Sequence, residues 1–136
     1  PDPEGIAPFL AASRAAAAHT LRSSQGPLPA MTQNDIVEMI FFPVVNEACR
    51  CLAEGVVVKA GDLDAAAVLG MGFPAFRGGV VHWGDQVGAR RIAARLREWS
   101  TRYGGIYNPC PYLEDCAVQN RKLADGPLPG PDRSKL

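Results

Sequence analysis

Four cysteines and two histidines are the side chains of this sequence that could bind a metal ion or carry out nucleophilic chemistry. Cys49 and Cys51 have a C-x-C spacing and Cys110 and Cys116 a C-x5-C spacing, whereas structural zinc sites use pairs about two residues apart. On a helix, Cys49 and Cys51 would point about 200° apart, so they cannot easily share one ion. We therefore predict four reduced thiols and no metal site, and a disulfide framework is the alternative.

The histidines and serines form no recognisable catalytic pattern. His82 lies in the run VVHW (80–83), where a packed or capping histidine is expected, and His19 lies in an alanine-rich stretch without a carboxylate at helical spacing. Neither histidine has a charge partner that would tune it as an acid or base. The serines occur in no nucleophile motif. We expect this segment alone to be catalytically inactive, with no cofactor of its own.

The most unusual stretch is the glycine-rich run GMGFPAFRGG, residues 70–79. It contains G-x-G, but no further glycine completes a dinucleotide-binding fingerprint, and no predicted strand precedes it. We interpret it as a tight loop whose glycines let helices approach closely, in preference to a loop that binds a ligand directly. Arg77 could hold a phosphate group or a neighbouring carboxylate, and a structural ion pair is the preferred interpretation.

A basic segment follows, with Glu98 as its single acid. Its five arginines are Arg90, Arg91, Arg95, Arg97 and Arg102. As an alternative function, the helix Arg90–Arg102 could bind RNA or another acidic partner. The arginines surround an apolar stripe, however, and Glu98 can pair with Arg95 or Arg102, which favours a solvated helix face. The formal net charge of zero also argues against a dedicated nucleic-acid binder.

The elements that must position these residues are all predicted to be helices. Alanine content, apolar periodicity and capping residues predict them over Ile6–Leu21, Asn34–Glu54, Asp62–Leu69, Ala89–Tyr103 and Tyr112–Gln119. The run VVV (56–58) is too short for a strand and has no partner, so it is predicted to be an extended connector. The fold class is therefore all-α.

The segment Asn34–Glu54 is the strongest of these helix signals. Thr32 or Asn34 can cap this helix, and Gly55 should end it in the left-handed conformation. Asp62 is expected to cap the next helix. Pro43 is expected to kink it. Phe42 falls on its polar side, either as a partner contact or as an ordinary exposed apolar residue.

Composition indicates one soluble globular domain, with 47% apolar and 21% charged residues. No run of about 18 apolar residues is present, so no membrane span is expected. The tetrapeptide GPLP occurs at 26–29 and 126–129 and brackets the better-patterned sequence. We predict an alanine/proline-rich lead-in with one helix (1–30), a helical domain (31–120) and a flexible tail (121–136). The absence of an initial Met suggests a processed or excised piece.

Three blocks in order carry a family resemblance: EMIFFPVVNEA (38–48), LAEGVV (52–57) and GMGFP (70–74) with RGG (77–79). Together they resemble the C-terminal helical domain of the 3-hydroxyacyl-CoA dehydrogenase family, of the 6-phosphogluconate dehydrogenase C-terminal-like type. The likeness is greatest to the last domain of peroxisomal multifunctional β-oxidation enzymes of the plant and algal type. It runs from about Asp2 to Asn120, and it is specific because the blocks occur in sequence.

The resemblance implies a parent enzyme of fatty acid β-oxidation that joins enoyl-CoA hydratase and 3-hydroxyacyl-CoA dehydrogenase. NAD and the catalytic histidine and glutamate belong to a Rossmann domain outside this segment. The segment itself would dock onto that domain and onto a preceding helical domain, and whether Arg77 touches the CoA of the acyl-CoA substrate is left open. The expected interdomain contacts and loop residues are Phe42, Gly70, Gly72, Phe73, Pro74, Phe76, Arg77, Gly78, Gly79 and Trp83.

The last three residues, Ser134, Lys135 and Leu136, form the tripeptide S-K-L. At a free carboxyl end, this sequence is a peroxisomal address that an import receptor recognises. The preceding residues 125–133 are rich in proline, glycine and charge and suit a flexible spacer. The expected location is therefore the peroxisomal matrix, with the import receptor as a partner.

Overall fold

The computed structural model describes residues 3–22 and 30–127, with the backbone alone for residue 3 and residues 17–22. The chain divides into two units, one up to Met31 and one from Thr32. In the first unit a single helix, α1, spans Pro3–Arg22. The predicted helix over Ile6–Leu21 is therefore confirmed, and it begins earlier than expected.

The described part of the second unit consists of helices and 3-10 turns, without a strand, which confirms the all-α class. The helices are α2 (Gln33–Ala53), α3 (Ala60–Met71), α4 (Val80–Val87), α5 (Ala89–Tyr103) and α6 (Pro111–Gln119). The 3-10 turns are Ala75–Arg77, Gly105–Tyr107 and Leu123–Asp125. Helix α5 has the predicted bounds, α2 and α6 agree within one residue at each end, and α4 was not predicted.

Local chemistry sets the ends of α2. The Thr32 hydroxyl accepts a hydrogen bond from the Asp35 N–H at 3.1 Å, and the Asp35 carboxylate accepts one from the Thr32 N–H at 2.9 Å. This reciprocal capping box satisfies two backbone donors at the helix start. At the other end, Gly55 adopts a φ of +71°, as predicted for a left-handed terminator.

Helix α3 begins earlier than its predicted cap. Lys59 precedes the helix, and Asp62 lies inside the first turn, where its N–H donates to the Lys59 carbonyl at 3.0 Å. The prediction that Asp62 caps the helix is therefore wrong. Ala60 and Gly61 tolerate helical geometry, so the helix begins before Asp62. The negative charge of Asp62 still stabilises the N-terminal turn of the helix.

The core of the second unit lies between α2, α4, α5 and α6. The apolar stripe between the α5 arginines, expected to be one buried stripe of Ile92, Leu96, Trp99 and Tyr103, is buried at its first three positions, which are at most 4% exposed. Tyr103 is only partly buried. Leu123 in the last 3-10 turn is also fully buried, although the sequence places it in the tail. The packed region therefore continues beyond residue 120.

Helix α2 buries a different face from the one its pattern suggests. Phe42, predicted to be exposed, is 0% exposed, and its ring lies 5.8 Å from Trp83 and 5.9 Å from Trp99 between centroids. The prediction that Phe42 lies on an exposed polar side is wrong, because α4 and α5 pack against that side. Glu38 and Asn46, the neighbouring polar residues, are buried there with polar partners.

Candidate docking surface

The face of α2 opposite its buried side is apolar and uncovered in the second unit. Ile36, Val37 and Ile40 are 48%, 44% and 57% exposed. They lie within one helical turn and form what we call the α2 stripe. A helix that is apolar on both faces is typical of an element packed on both sides.

An open, mainly apolar cleft of about 530 Å³ lies along one flank of α2. Its walls are α2, α3 and the 3-10 turn that contains Ile106. Apolar side chains in these walls include Val44, Leu63, Met71 and Ile106. Met71 and Ile106 are themselves 66% and 72% exposed, so this apolar surface extends beyond the cleft.

A second cleft, of about 540 Å³, lies beside the α2 stripe and is bounded by the glycine-rich loop and α4. Phe41, Phe73 and Trp83 contribute to its wall, and their rings form edge-on or tilted pairs with centroids 5.3–6.1 Å apart. Edge-on aromatic pairs add to the stabilisation that burial gives. Arg77 and Arg91 supply cations at the same cleft.

The aromatic residues predicted as contacts therefore fall into two groups. Phe42, Phe73 and Trp83 are at most 8% exposed, so they belong mainly to the core of this unit. Phe76 is 84% exposed and is available for a contact. The sequence did not identify the α2 stripe as exposed, because its residues follow the helical periodicity that is typical of a buried face.

The glycines of the loop also fall into two groups. A Cβ at Gly70 or Gly72 would meet nothing within 4 Å, so neither glycine makes a close approach within this unit. Gly72 instead ends α3 with a φ of +70°. A Cβ at Gly78 would lie 2.6 Å from the His82 ring, and one at Gly79 would lie 2.3 Å from Asp64, so both glycines have close neighbours within the unit. Their role in contacts with other domains stays a prediction.

Asp64 explains the close approach at Gly79. Its carboxylate accepts hydrogen bonds from the N–H groups of Val81 at 2.7 Å and His82 at 3.3 Å. These are free donors at the start of α4, which has no side-chain cap of its own. Asp64 on α3 thus caps α4 from a distant position in the sequence and joins the two helices. This distance explains why neither α4 nor its cap was predicted.

Arg77 and His82 occupy exposed positions at this end of the molecule. Arg77 forms no ion pair with any residue that the structure describes, so its ion-pair interpretation stays a prediction. Its guanidinium lies over the Phe76 ring, 5.5 Å from the centroid. The His82 ring nitrogen Nε2 lies 3.0 Å from the Gln86 amide nitrogen.

Ion pairs with acidic residues of α2 anchor the basic helix α5. Glu38, 5% exposed, pairs with Arg91 and Arg95, and Arg95 also contacts Asp35 at 2.7 Å. Hydrogen bonds from Thr32, together with the charge of Arg95, hold the pKa of Asp35 below its ordinary value. These pairs join α2 to α5.

Acids of the fold also pair with Arg97 and with a second side of Arg95. Arg97 pairs with Glu114 on α6, and the predicted pair of Arg95 with Glu98 is present at 2.8 Å. The bond to Glu114 raises the pKa of Arg97 above its ordinary value. The RNA-binding alternative therefore finds no support in this helix.

Neither a metal centre nor a dinucleotide site emerges from residues 3–22 and 30–127. No group of three or more His, Cys, Asp or Glu side chains there could hold a metal ion. The G-x-G at 70–72 ends a helix and follows no strand, so these residues do not fit NAD. No helix in the same ranges has the length and hydropathy to cross a bilayer. Ser134, Lys135 and Leu136 lie outside the described residues.

Comparison with protein families gives one match over most of the second unit. Residues 36–125 match the model described as "3-hydroxyacyl-CoA dehydrogenase, C-terminal domain". The match begins at the α2 stripe and ends with the last 3-10 turn.

Curated relatives from plants and bacteria are similar to the same part of the chain. The glyoxysomal fatty acid beta-oxidation multifunctional protein MFP-a of Cucumis sativus is 59% identical over 97 residues, 71% of this chain and 13% of that protein. The peroxisomal fatty acid beta-oxidation multifunctional protein MFP2 of Arabidopsis thaliana is 54% identical over 85 residues, 62% of this chain and 12% of that protein. The fatty acid oxidation complex subunit alpha of Vibrio campbellii is 35% identical over 99 residues, 73% of this chain and 14% of that protein. The chain thus corresponds to about an eighth of the length of these relatives.

Proposed function

Because the chain belongs to the 3-hydroxyacyl-CoA dehydrogenase family, through that family's C-terminal domain, we propose that it is the docking domain of a longer β-oxidation enzyme. The parent would combine enoyl-CoA hydratase with 3-hydroxyacyl-CoA dehydrogenase and act on acyl-CoA. Multifunctional relatives that are 47–59% identical to this chain support the proposal. The catalytic groups and the NAD site would lie in other domains of that parent.

The observation that carries this proposal is the exposed α2 stripe, with Val37 at the edge of an open cleft. Three large aliphatic side chains are about half exposed on one turn of the central helix. Burying the exposed part of each would contribute about 1 kcal/mol, or about 3 kcal/mol for the stripe. The occupant we propose is the preceding part of the same parent chain, because this segment is a small fraction of its relatives' length.

Charge at the stripe should disturb docking without unfolding the domain. We propose Ile40→Asp in the full-length parent, with Val58→Asp as the matched control because Val58 is 87% exposed in a connector. A carboxylate buried in the interface should weaken docking by roughly tenfold or more. Ile40→Asp should therefore lower the parent's dehydrogenase rate and melting temperature, whereas Val58→Asp should not.

The same two variants in the 136-residue chain separate docking from folding. Both positions are exposed there, so both variants should keep the helical circular dichroism and the melting temperature of the unmodified chain. If the parent with Ile40→Asp matches the unmodified parent in rate and melting temperature, the stripe is not a docking surface. If the short chain unfolds, the stripe has a structural role within the domain instead.

We further propose that the parent acts in the peroxisomal matrix. Relatives named peroxisomal or glyoxysomal support this location, and Ser134-Lys135-Leu136 would be the sequence that the import receptor binds. Residues 126–136 fused to the carboxyl end of a fluorescent protein should direct it to peroxisomes. The same fusion without Leu136 should stay outside them, and equal distributions would contradict the proposal.

A further inference from the structure

Two buried cysteines from distant parts of the sequence are brought together between α2 and α6. Cys49 lies on α2 and is 1% exposed; Cys110 immediately precedes α6 and is 2% exposed. The two thiols lie close enough for each to shift the pKa of the other. Cys110 is therefore the partner that the fold places against Cys49.

Asn46 fixes the backbone that carries Cys110. Its amide nitrogen donates to the Asn108 carbonyl at 2.8 Å, and its amide oxygen accepts from the Cys110 N–H at 2.7 Å. Asn46 and Cys49 are three residues apart, so they lie on the same side of α2. The turn of α2 that binds residues 108–110 through Asn46 therefore also carries Cys49.

The surroundings of Cys110 favour its thiolate. Its sulfur accepts a hydrogen bond from the Leu113 N–H at 3.5 Å, in the position of a helix N-cap. The neighbouring Cys49 thiol, the bond from Leu113 and the charge of Arg50 lower the pKa of Cys110 below its ordinary value. The same contact and burial raise the pKa of Cys49. Cys110 is thus the sulfur of the pair that we expect to react first, because the N-terminus of α6 donates to it.

The remaining thiols differ from this pair. Cys116 is fully buried and its sulfur contacts the Lys122 carbonyl at 3.8 Å. Burial raises the pKa of Cys116, which keeps it protonated. Cys51 is partly exposed and lines the apolar cleft beside α3. Neither residue combines a thiolate-stabilising helix N-terminus with a facing thiol.

We propose that Cys49 and Cys110 are an oxidation site, at which a peroxide converts the two thiols into a reversible disulfide that joins α2 to α6. The Cys110 thiolate attacks one oxygen of hydrogen peroxide, the O–O bond breaks, and a sulfenic acid and hydroxide form. The Cys49 sulfur then attacks the sulfenic sulfur, the S–O bond breaks, and the Cys49 proton leaves with that oxygen as water. Two thiols lose two electrons in total, and one peroxide becomes two waters.

The bond would connect two positions that are 61 residues apart in the sequence. A cross-link over so long a loop restricts the unfolded chain strongly, so the oxidised domain should melt at a higher temperature than the reduced one. Both sulfurs are nearly inaccessible, so peroxide would reach them through local opening of the fold. The expected reaction is therefore slow but selective for this pair.

Peptide mapping of the 136-residue chain tests the proposal. The reduced chain is treated with hydrogen peroxide, its remaining thiols are alkylated, and its peptides are analysed without reductant. We expect a Cys49–Cys110 linkage that dithiothreitol reverses, with a higher melting temperature of the oxidised chain. Cys51→Ser is the matched control on the same helix and should form the linkage to the same extent as the unmodified chain.

Two variants test the order of the steps. Cys110→Ser should abolish the linkage, and Cys49→Ser should leave Cys110 as a sulfenic acid that dimedone labels. The proposal is overturned if peroxide links Cys110 to Cys116, or if Cys51 forms intermolecular bonds while Cys49 and Cys110 stay alkylatable. Should either variant fail to fold, the mapping of the unmodified chain and of Cys51→Ser still decides the question.

Discussion

Replacing Asn46 tests how far one buried amide holds the fold together. Asn46 is 0% exposed and bonds both the Asn108 carbonyl and the Cys110 N–H. In Asn46→Ala the Cys110 N–H loses its acceptor, which costs about 1–3 kcal/mol for a buried donor. The Asn108 carbonyl keeps a partner in Arg50 at 3.1 Å, so its loss is smaller. With the small cavity added, we expect a loss of about 2–4 kcal/mol.

Urea denaturation of the 136-residue chain, followed by circular dichroism, measures this loss. A domain of this size has a total stability of roughly 5–15 kcal/mol, so the midpoint should fall clearly. Gln86→Ala is the control, because Gln86 is exposed and its side chain bonds the exposed His82 rather than the core. Its midpoint should stay within about 0.5 kcal/mol of the unmodified chain.

Asn46→Leu separates the polar contribution from the packing contribution. Leucine has a similar volume and fills the space, but it accepts no hydrogen bond from Cys110. If the buried N–H is the main cost, Asn46→Leu should lose nearly as much stability as Asn46→Ala. A leucine variant as stable as the unmodified chain would refute the reasoning, since volume alone would then explain the alanine result.

Two further predictions concern stability within the domain. Phe42→Ala should lower the free energy of unfolding by about 3–5 kcal/mol, measured with heat or urea, because Phe42 fills the core. Phe76→Ala should change it by less than about 0.5 kcal/mol because Phe76 is 84% exposed. Similar losses of stability in both variants would contradict the assigned burial. Hydrogen bonds from Thr32 and the charge of Arg95 lower the folded-state pKa of Asp35, so its stabilising effect is present above the unfolded pKa and is lost as pH falls through the folded value. The unmodified chain should therefore lose more stability below about pH 4 than Asp35→Asn does, and parallel pH–stability curves for the two would count against it.

Much of the helical pattern could be predicted because its signals are local. Thr32 and Asp35 cap α2, Pro111 begins α6, and Gly104 ends α5, and each acts on residues close to it in sequence. Helix α4 could not be predicted in this way. It is short, begins at Gly79, and takes its capping carboxylate from Asp64, which lies on another helix.

The orientation of α2 was also beyond the reach of its own pattern. Glu38 and Asn46 suggested a solvent face, but they are buried because partners far along the chain satisfy them. Arg91 is 53 residues from Glu38, and Cys110 is 64 residues from Asn46. When apolar residues cover most of a helix circumference, the pattern alone does not show which face packs against the other helices of the domain. The side of α2 assigned to Phe42 was therefore wrong, whereas a docking role for the domain stays a proposal.

The short turn after α6 limits how this domain can be shortened. Leu123 fills the space beside Gly84, where an added Cβ would lie 2.9 Å from it. Asp85 accepts the Leu123 N–H at 2.6 Å, and the Tyr112 hydroxyl donates to the Leu123 carbonyl at 2.7 Å. An expression fragment that stops at residue 120 would lack this closing segment and expose the groove between α2 and α4. Fragments intended for crystallisation or domain exchange should therefore extend through Asp125.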